Sequence, residues 1–285
     1  MSTVAVITPT TGLPHLRQCI ESVAQQTYRD TRHVVVIDGK KREKAAVAIL
    51  EAADFDGQVI VLPEATGENH YHGHRIYAAV PFLLDSDHVA FLDEDNHYTP
   101  DHIESLISLI ENKRLDWAYS LRNIITNDGD FLIQDNCQSL GWWPAFDGVY
   151  QHIDTSCYLL RRPLAVASSG LWNRKGYTSG VRDPDRELCR WLIYNHPQFF
   201  TTGQHTMNYR LGASTQEFQR SFFELGNMIS KTIYKIFPWH ASTIDTTAAE
   251  DNHLVLMPKQ IPEMQPVLDA LSKWRESAGP FRGAS

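Results

Sequence analysis

Asp93, Glu94 and Asp95 stand in an unbroken row, and the run before them, Val89-Ala90-Phe91-Leu92, is apolar. A buried strand over that run puts the three acids at its carboxyl end. Adjacent carboxylates repel one another, and a nearby cation relieves the repulsion. Hard divalent ions such as Mg²⁺ and Mn²⁺ take carboxylate oxygens, often only one or two, and complete their shell with water and phosphate oxygens. The row therefore points to a metal–phosphate site. The competing reading is an acidic turn that caps the helix starting near Pro100, because acids favour helix starts.

The elements around the row must position it. Val4-Ala5-Val6-Ile7 reads as a strand buried on both faces, broken by Thr8-Pro9-Thr10-Thr11-Gly12. Leu13 to Gln26 has helical spacing, with Leu16, Ile20 and Val23 on one face. His33 to Ile37 is a second strand ending in Asp38-Gly39, Lys41 to Ala53 a helix, Gln58 to Leu62 a third strand, Gly73 to Leu84 a helix, and His88 to Leu92 the fourth strand. Strands alternating with helices predict an α/β fold with a parallel sheet covered on both faces. Ligands of such sheets sit at the carboxyl ends of the strands, where Thr8–Thr10, Asp38 and Asp93–Asp95 all fall. After a helix over Asp101–Lys113 the pattern changes. Leu115–Ile125 and Asp130–Gln134 read as strands joined at Asn127-Asp128-Gly129, and Ser156–Leu160 as another strand. Asp185–Asn195 reads as a helix, Thr206–Tyr209 as a short strand, and Gln216–Phe237 as a long helix with Phe218, Phe222, Leu225, Ile229 and Ile233 on one stripe. A last helix is expected near Glu263–Ser277.

Composition narrows the classes. A chain of 285 residues with 42% apolar content supports a sizeable core. A net charge of −8 argues against a general nucleic-acid binder while leaving room for a local nucleotide site. Cys19, Cys137, Cys157 and Cys189 form no CxxC pair, which speaks against a structural zinc site or a disulfide framework and fits a reducing, cytoplasmic setting. The first residues carry no basic leader, and no run of about 20 apolar residues is present, so neither a signal peptide nor a membrane span is expected.

Several motifs recur in order. They are Leu16-x-x-x-Ile20-x-Ser22-x-x-x-Gln26-x-Tyr28, then Val34-Val35-Val36-Ile37-Asp38-Gly39, then Asp93-Glu94-Asp95, then Asp154-Thr155-Ser156 leading to Arg161-Arg162, and finally Asp185-Arg186-Glu187-Leu188. Together, over roughly residues 3–215, the chain resembles the family 2 glycosyltransferases. The resemblance implies the GT-A fold: a Rossmann-like, mainly parallel sheet flanked by helices, here with a C-terminal helical extension. It divides the chain into a glycosyltransferase domain over 1–215, with a nucleotide-binding half (1–100) and an acceptor half (101–215), and an extension over 216–285.

By that resemblance Thr8, Pro9 and Thr10 line the nucleotide pocket with backbone groups. Asp38 accepts a hydrogen bond from uracil or another base, and Asp93 and Glu94 count among the nucleotide contacts. Asp93 and Asp95 hold a divalent Mn²⁺ or Mg²⁺, and His205 is the nearest candidate for a further metal ligand. Arg210 is a rival phosphate contact. Between the third strand and its helix the family has a small-residue, Asn-rich stretch, where this chain has Glu68-Asn69-His70-Tyr71-His72-Gly73-His74-Arg75. Arg75 is assigned to phosphate. His72 and His74 are either metal ligands or structural. Asp185 matches the catalytic base, with Asp183 as second candidate, and the Asp185 position also suits a helix N-cap. Trp142, Trp143 and Trp172 are either acceptor-stacking or core residues.

The expected activity is metal-dependent, inverting transfer of a sugar from a nucleotide-diphosphate donor, UDP-linked by default, to a hydroxyl of a glycan, a lipid-linked sugar or a small molecule. Two alternatives stand beside it. One is a degenerate sugar-nucleotide-binding protein. The other is a nucleotidyltransferase, disfavoured because Thr8–Gly12 holds no Lys or Arg. The apolar stripe of the Gln216–Phe237 helix suits core or homodimer packing. Lys231 and Lys235 beside aromatics leave room for peripheral membrane contact.

Overall fold

The computed structural model describes residues 2–68, 71–141, 152–173, 184–212 and 216–234. Strand β1 (Val4–Thr10) is buried along its whole length. It runs parallel to β2 (Thr31–Ile37) on one side and to β4 (His88–Phe91) on the other, and β3 (Gln58–Val61) continues the parallel order beside β2. Beyond β4 the sheet becomes mixed. Its full order is β3-β2-β1-β4-β8-β6-β9-β5, with β7 (Phe131–Gln134) paired to β6 (Trp117–Ile125). β8 (Tyr158–Arg161) is antiparallel to β4 and β6, whereas β9 (Phe199–Arg210) is parallel to β6. Helices α1 (Leu16–Ala24) and α2 (Glu43–Ala52) close a small core of Leu16, Ile20, Val35, Ile37, Ala46 and Leu50. The main core includes β1, the other face of β2, α3 (His74–Ala79), α4 (His102–Lys113) and α6 (Pro184–Asn195). Among the described residues no helix is long and apolar enough to cross a membrane.

Three differences from the sequence reading have physical reasons. First, β1 does not break at Thr8 but runs on to Thr10. Its pairing with β4 ends at Ile7, so beyond that point one side of the strand is open and a proline without an N–H is tolerated at position 9. Second, β9 spans twelve residues rather than four. Its register against β6 jumps from Tyr119↔Thr201 to Leu121↔His205, a bulge that holds Gly203 at φ 68°. Third, β5 (His97–Tyr98) and α5 (Arg162–Ala167) were too short to read from periodicity. On α7 (Gln216–Tyr234), Phe223 is the deeply buried aromatic, and Phe222 and Leu225 pack more shallowly beside it. Lys235 and the helix expected near Glu263–Ser277 lie outside the described residues.

Two histidines in the fold make stability depend on pH. His33 lies against Phe55 and hydrogen-bonds Thr8 Oγ1 at 2.9 Å; His102 stacks on Tyr98 and bonds Thr206 Oγ1 at 2.8 Å. Burial pushes both from 6.5 down to about 3. The folded chain therefore resists the proton that the unfolded chain accepts near 6.5. Stability is intact above that value and declines as the pH falls toward 3. Each histidine contributes a slope of up to about 1.4 kcal/mol per pH unit in that window. Melting curves should show a Tm that falls steadily below about pH 6.5 and a shallower fall for His102→Gln. An unchanged slope in that variant removes His102 from the account.

Candidate active site

The turn after β4 sorts the three acids by direction. It is closed by the Asn96 N–H donating to the Asp93 carbonyl. Glu94 reaches back beneath β1. Its carboxylate accepts from Thr10 Oγ1 (2.6 Å), Leu13 N (3.0 Å), Thr11 N (2.9 Å) and Thr11 Oγ1 (2.7 Å). A carboxylate offers about four acceptor positions, and here they are filled by the loop that follows β1. Glu94, expected at the nucleotide, instead anchors that loop. The capping alternative does not hold either, because α4 begins at His102 after β5 and the residue before it, Asp101, makes no side-chain cap.

Asp93 and Asp95 point elsewhere. Asp93 Oδ1 accepts a 2.6 Å hydrogen bond from the Tyr77 hydroxyl, and its backbone N–H donates to Ser156 Oγ at 3.2 Å. The Asp95 carboxylate makes no hydrogen bond to another residue among those described. Burial, then the charges of Asp95, Asp154 and Asp185, holds the Asp93 carboxyl well above the usual carboxylate range, against the opposing bond from Tyr77. Asp95 is raised as well, by burial first and then by Glu94 and Asp154. Four acids from β4, the turn before β8 and the start of α6 thus share one electrostatic environment. Asp93 and Asp95, the two whose charges are held back, are of the kind that gathers at functional sites.

Asp154 is buried and accepts from Ser156 N at 2.9 Å and from the buried Arg122 guanidinium. Asp185 lies in the first turn of α6, where the helix dipole favours an anion. Thr155 Oγ1 donates to its Oδ1 at 2.9 Å, and His74 Nε2 approaches the same oxygen at 4.0 Å. The His74 ring stacks on Trp172, and burial, with help from the neighbouring His72, lowers it to about 4, so it is neutral at physiological pH. Asp183, Trp142 and Trp143 lie outside the described residues.

Several residues expected at ligand stand in supporting positions. Thr8 is fully buried with its hydroxyl on His33, Pro9 packs close to Gly73, and the Thr10 carbonyl receives the Asp38 N–H. Asp38, expected to face the base, has its carboxylate taken by Thr66 N, Thr66 Oγ1, Gly67 N and Arg42 Nη1 at 2.6–3.2 Å. It ties the 66–67 loop to the end of β2, and a Cβ on Gly67 would come within 3.0 Å of its Oδ2. Arg75 is exposed, lies over the Tyr71 ring at 3.5 Å and donates to the Thr66 carbonyl. His205 sits on β9 and bonds Asn136 Oδ1 at 3.0 Å instead of joining the acids after β4. Arg210 spends its guanidinium on the carbonyls of Asp95, Thr126 and Asn127 and on Gln18, which leaves no fork for a phosphate. Trp172 is 1% exposed, against Tyr77, Phe91 and His74, so its face is core and not an acceptor platform. Sequence reasoning missed Tyr77 and the charge of Asp154. Asp154 was visible as the first letter of a motif. Tyr77 carried no signal, because only the packing of α3 turns its hydroxyl toward Asp93.

The chain was compared with known proteins. Residues 5–154, more than half of the chain, match the model of the family described as "Glycosyl transferase family 2". An uncharacterized glycosyltransferase of Methanocaldococcus jannaschii, MJ1057, is 28% identical over 132 residues, or 45% of this chain and 44% of that protein. The match therefore spans under half of that relative's length. Among solved structures, S. aureus TarS residues 1–349 superpose with a TM-score of 0.54 at 12% identity, over 93% of this chain and 77% of that one. The same fragment in complex with UDP-GlcNAc gives 0.52 at 12% identity, over 95% and 80%. These structures share the fold, an α/β sheet flanked by helices. With the motif order and the acidic carboxyl end of β4, the match over residues 5–154 places this chain in glycosyl transferase family 2.

Proposed function

We propose that the protein is an inverting glycosyltransferase that moves a sugar from a UDP-linked donor to an acceptor hydroxyl, with residues 1–215 as the catalytic unit and 216–285 as an extension of it. The observation that carries this reading is the pair Asp93 and Asp95 just past the carboxyl end of β4, where the charge of Asp154 acts on both and that of Asp185 on Asp93. The UDP assignment is supported by the fold's likeness to TarS, a protein with structures in complex with UDP and with UDP-GlcNAc. The four cysteines are free and buried, in keeping with a cytoplasmic setting.

The acidic site suits a hard divalent cation. Asp93 and Asp95 offer oxygen donors in surroundings whose negative charge a cation would relieve. Among the described residues no group of three or more His, Cys, Asp or Glu side chains is placed to hold a metal ion. The proposed ion would rest on these one or two carboxylates together with substrate phosphates and water, as Mg²⁺ and Mn²⁺ commonly do. When bound, such an ion neutralises charge on the departing diphosphate.

Asp185 does the proton work. The acceptor oxygen attacks the anomeric carbon and forms the new glycosidic bond. The bond from that carbon to the diphosphate oxygen breaks, and its electron pair leaves with UDP. The acceptor proton passes to the Asp185 carboxylate, held in place by the Thr155 hydroxyl. Glu94 and Asp38 act at one remove, pinning the loops after β1 and β3 that frame the donor pocket.

A thermal-shift titration with UDP, GDP, CDP and dTDP, with and without Mn²⁺, tests the reading. UDP at about 100 times its Kd should stabilise the protein by about 2.7 kcal/mol, and the rise in Tm should require the metal. Asp95→Ala should remove the metal-dependent part of the shift. A wild-type shift that ignores metal overturns the metal dependence, and no shift with any diphosphate overturns the nucleotide-sugar reading as a whole.

A further inference from the structure

We infer that Tyr77 is a positioning residue for the cation site, its hydroxyl fixing one oxygen of Asp93 so that the other is presented to the metal. The inference rests on the metal-dependent reading above and adds a residue to it. Tyr77 lies on α3 and is 1% exposed. Its ring is fixed by Phe91 at 5.0 Å and by Trp172 at 5.3 Å between centroids. Phe91 ends the strand that leads into the turn, and Trp172 also meets Phe91 at 5.3 Å, so the three rings form one packed unit beneath the acids. That packing aims the hydroxyl at Asp93 Oδ1, 2.6 Å away. Among the described residues no other side chain hydrogen-bonds the Asp93 carboxylate, and none of them donates to its second oxygen. A carboxylate with one oxygen tied and one open is set for a single, directional metal contact. Partners of metal-ligating carboxylates orient their ligands, and their loss commonly costs metal affinity about 10–100-fold.

The same helix serves both ends of the site. One turn before Tyr77, His74 stacks on the other part of the Trp172 neighbourhood and approaches Asp185. Residues three apart on a helix share a face, so α3 spaces the metal carboxylate from the proposed base.

The test is Mn²⁺ binding in the presence of saturating UDP, read from the electron paramagnetic resonance signal of free Mn²⁺, a readout independent of turnover. Tyr77→Phe keeps the ring between Phe91 and Trp172 and removes only the hydroxyl. Its Mn²⁺ half-saturation is expected to rise about 10-fold or more, with Tm near that of the wild type. Tyr77→Met fills the same slot flexibly and should give the same loss should the Phe variant fold poorly. In an Asp93→Asn background, Tyr77→Phe should add nothing. Equal half-saturation in Tyr77→Phe and wild type, or a further loss on top of Asp93→Asn, overturns the role of Tyr77 while leaving the metal-dependent reading standing. A wild-type protein that takes up no Mn²⁺ with UDP overturns both, and is told apart by that control alone.

Discussion

Asp185→Asn is expected to lower kcat by about 10²–10⁴-fold while leaving metal-dependent UDP binding within about 2-fold of wild type. The substitution is mild in structure. An asparagine Oδ1 still accepts the 2.9 Å hydrogen bond from Thr155, and its place in the first turn of α6 is one that asparagine tolerates. What is lost is the capacity to take up the acceptor proton, because an amide oxygen is a negligible base. The reading thus predicts a split: donor binding belongs to the acids after β4, and proton transfer belongs to α6. Single-turnover assays with a UDP-sugar, alongside UDP titration of the same preparation, measure both. Near-normal turnover would pass the role to Asp183 or to another base. Equal loss of binding and turnover would make Asp185 a structural acid of the cluster.

How much of this was legible in the residues varies with the kind of information needed. The β1–α1–β2–α2–β3 series was readable because each strand is a short apolar run and each helix carries its stripe at helical spacing. The acidic end of β4 followed from the same pattern. The division of labour inside Asp93-Glu94-Asp95 did not, because a turn sends successive side chains in directions that their order leaves open. Glu94 proved to be the loop anchor because Thr10, Thr11 and Leu13 bring four donors to it across eighty residues of chain. Asp38 was likewise a sound candidate on its position, yet the loop at Thr66-Gly67 reaches it first. The length of β9 was hidden by Thr201, Thr202 and Gly203, polar and small residues that enter a strand here because β6 supplies a long parallel partner. Trp172 shows a choice that sequence left open. A tryptophan in a loop suits either a sugar platform or the core, and its neighbours Tyr77, Phe91 and His74, which come from distant segments, bury it.

Such distant dependencies converge on Arg122. It is 3% exposed on β6 and pairs with two acids, through Nε to Asp135 Oδ2 at 2.8 Å and through Nη1 to Asp154. Nη2 reaches Gln138, and the guanidinium carbon lies 4.4 Å from the Tyr209 ring centroid and 5.7 Å from that of Phe223 on α7. Asp135 keeps donors without it, since the N–H groups of Cys137, Gln138 and Ser139 all point to its carboxylate. Asp154 is less protected: among the described residues its carboxylate holds only the Ser156 N–H besides Arg122, and its charge acts on Asp93 and Asp95. Arg122→Met would therefore leave a buried carboxylate beside two others with no cation among them. Breaking a buried pair from one side typically costs about 3–5 kcal/mol, because the stranded charge keeps its desolvation penalty. In a chain of this size that corresponds to a fall in Tm on the order of 10 °C. Arg122→Lys should recover part of the loss by restoring charge without the planar fork that reaches both acids and Gln138. Thermal unfolding followed by circular dichroism orders the three proteins, wild type above Lys above Met. A Met variant that melts within about 2 °C of wild type would mean that the pairs of Arg122 with Asp135 and Asp154 contribute little to stability.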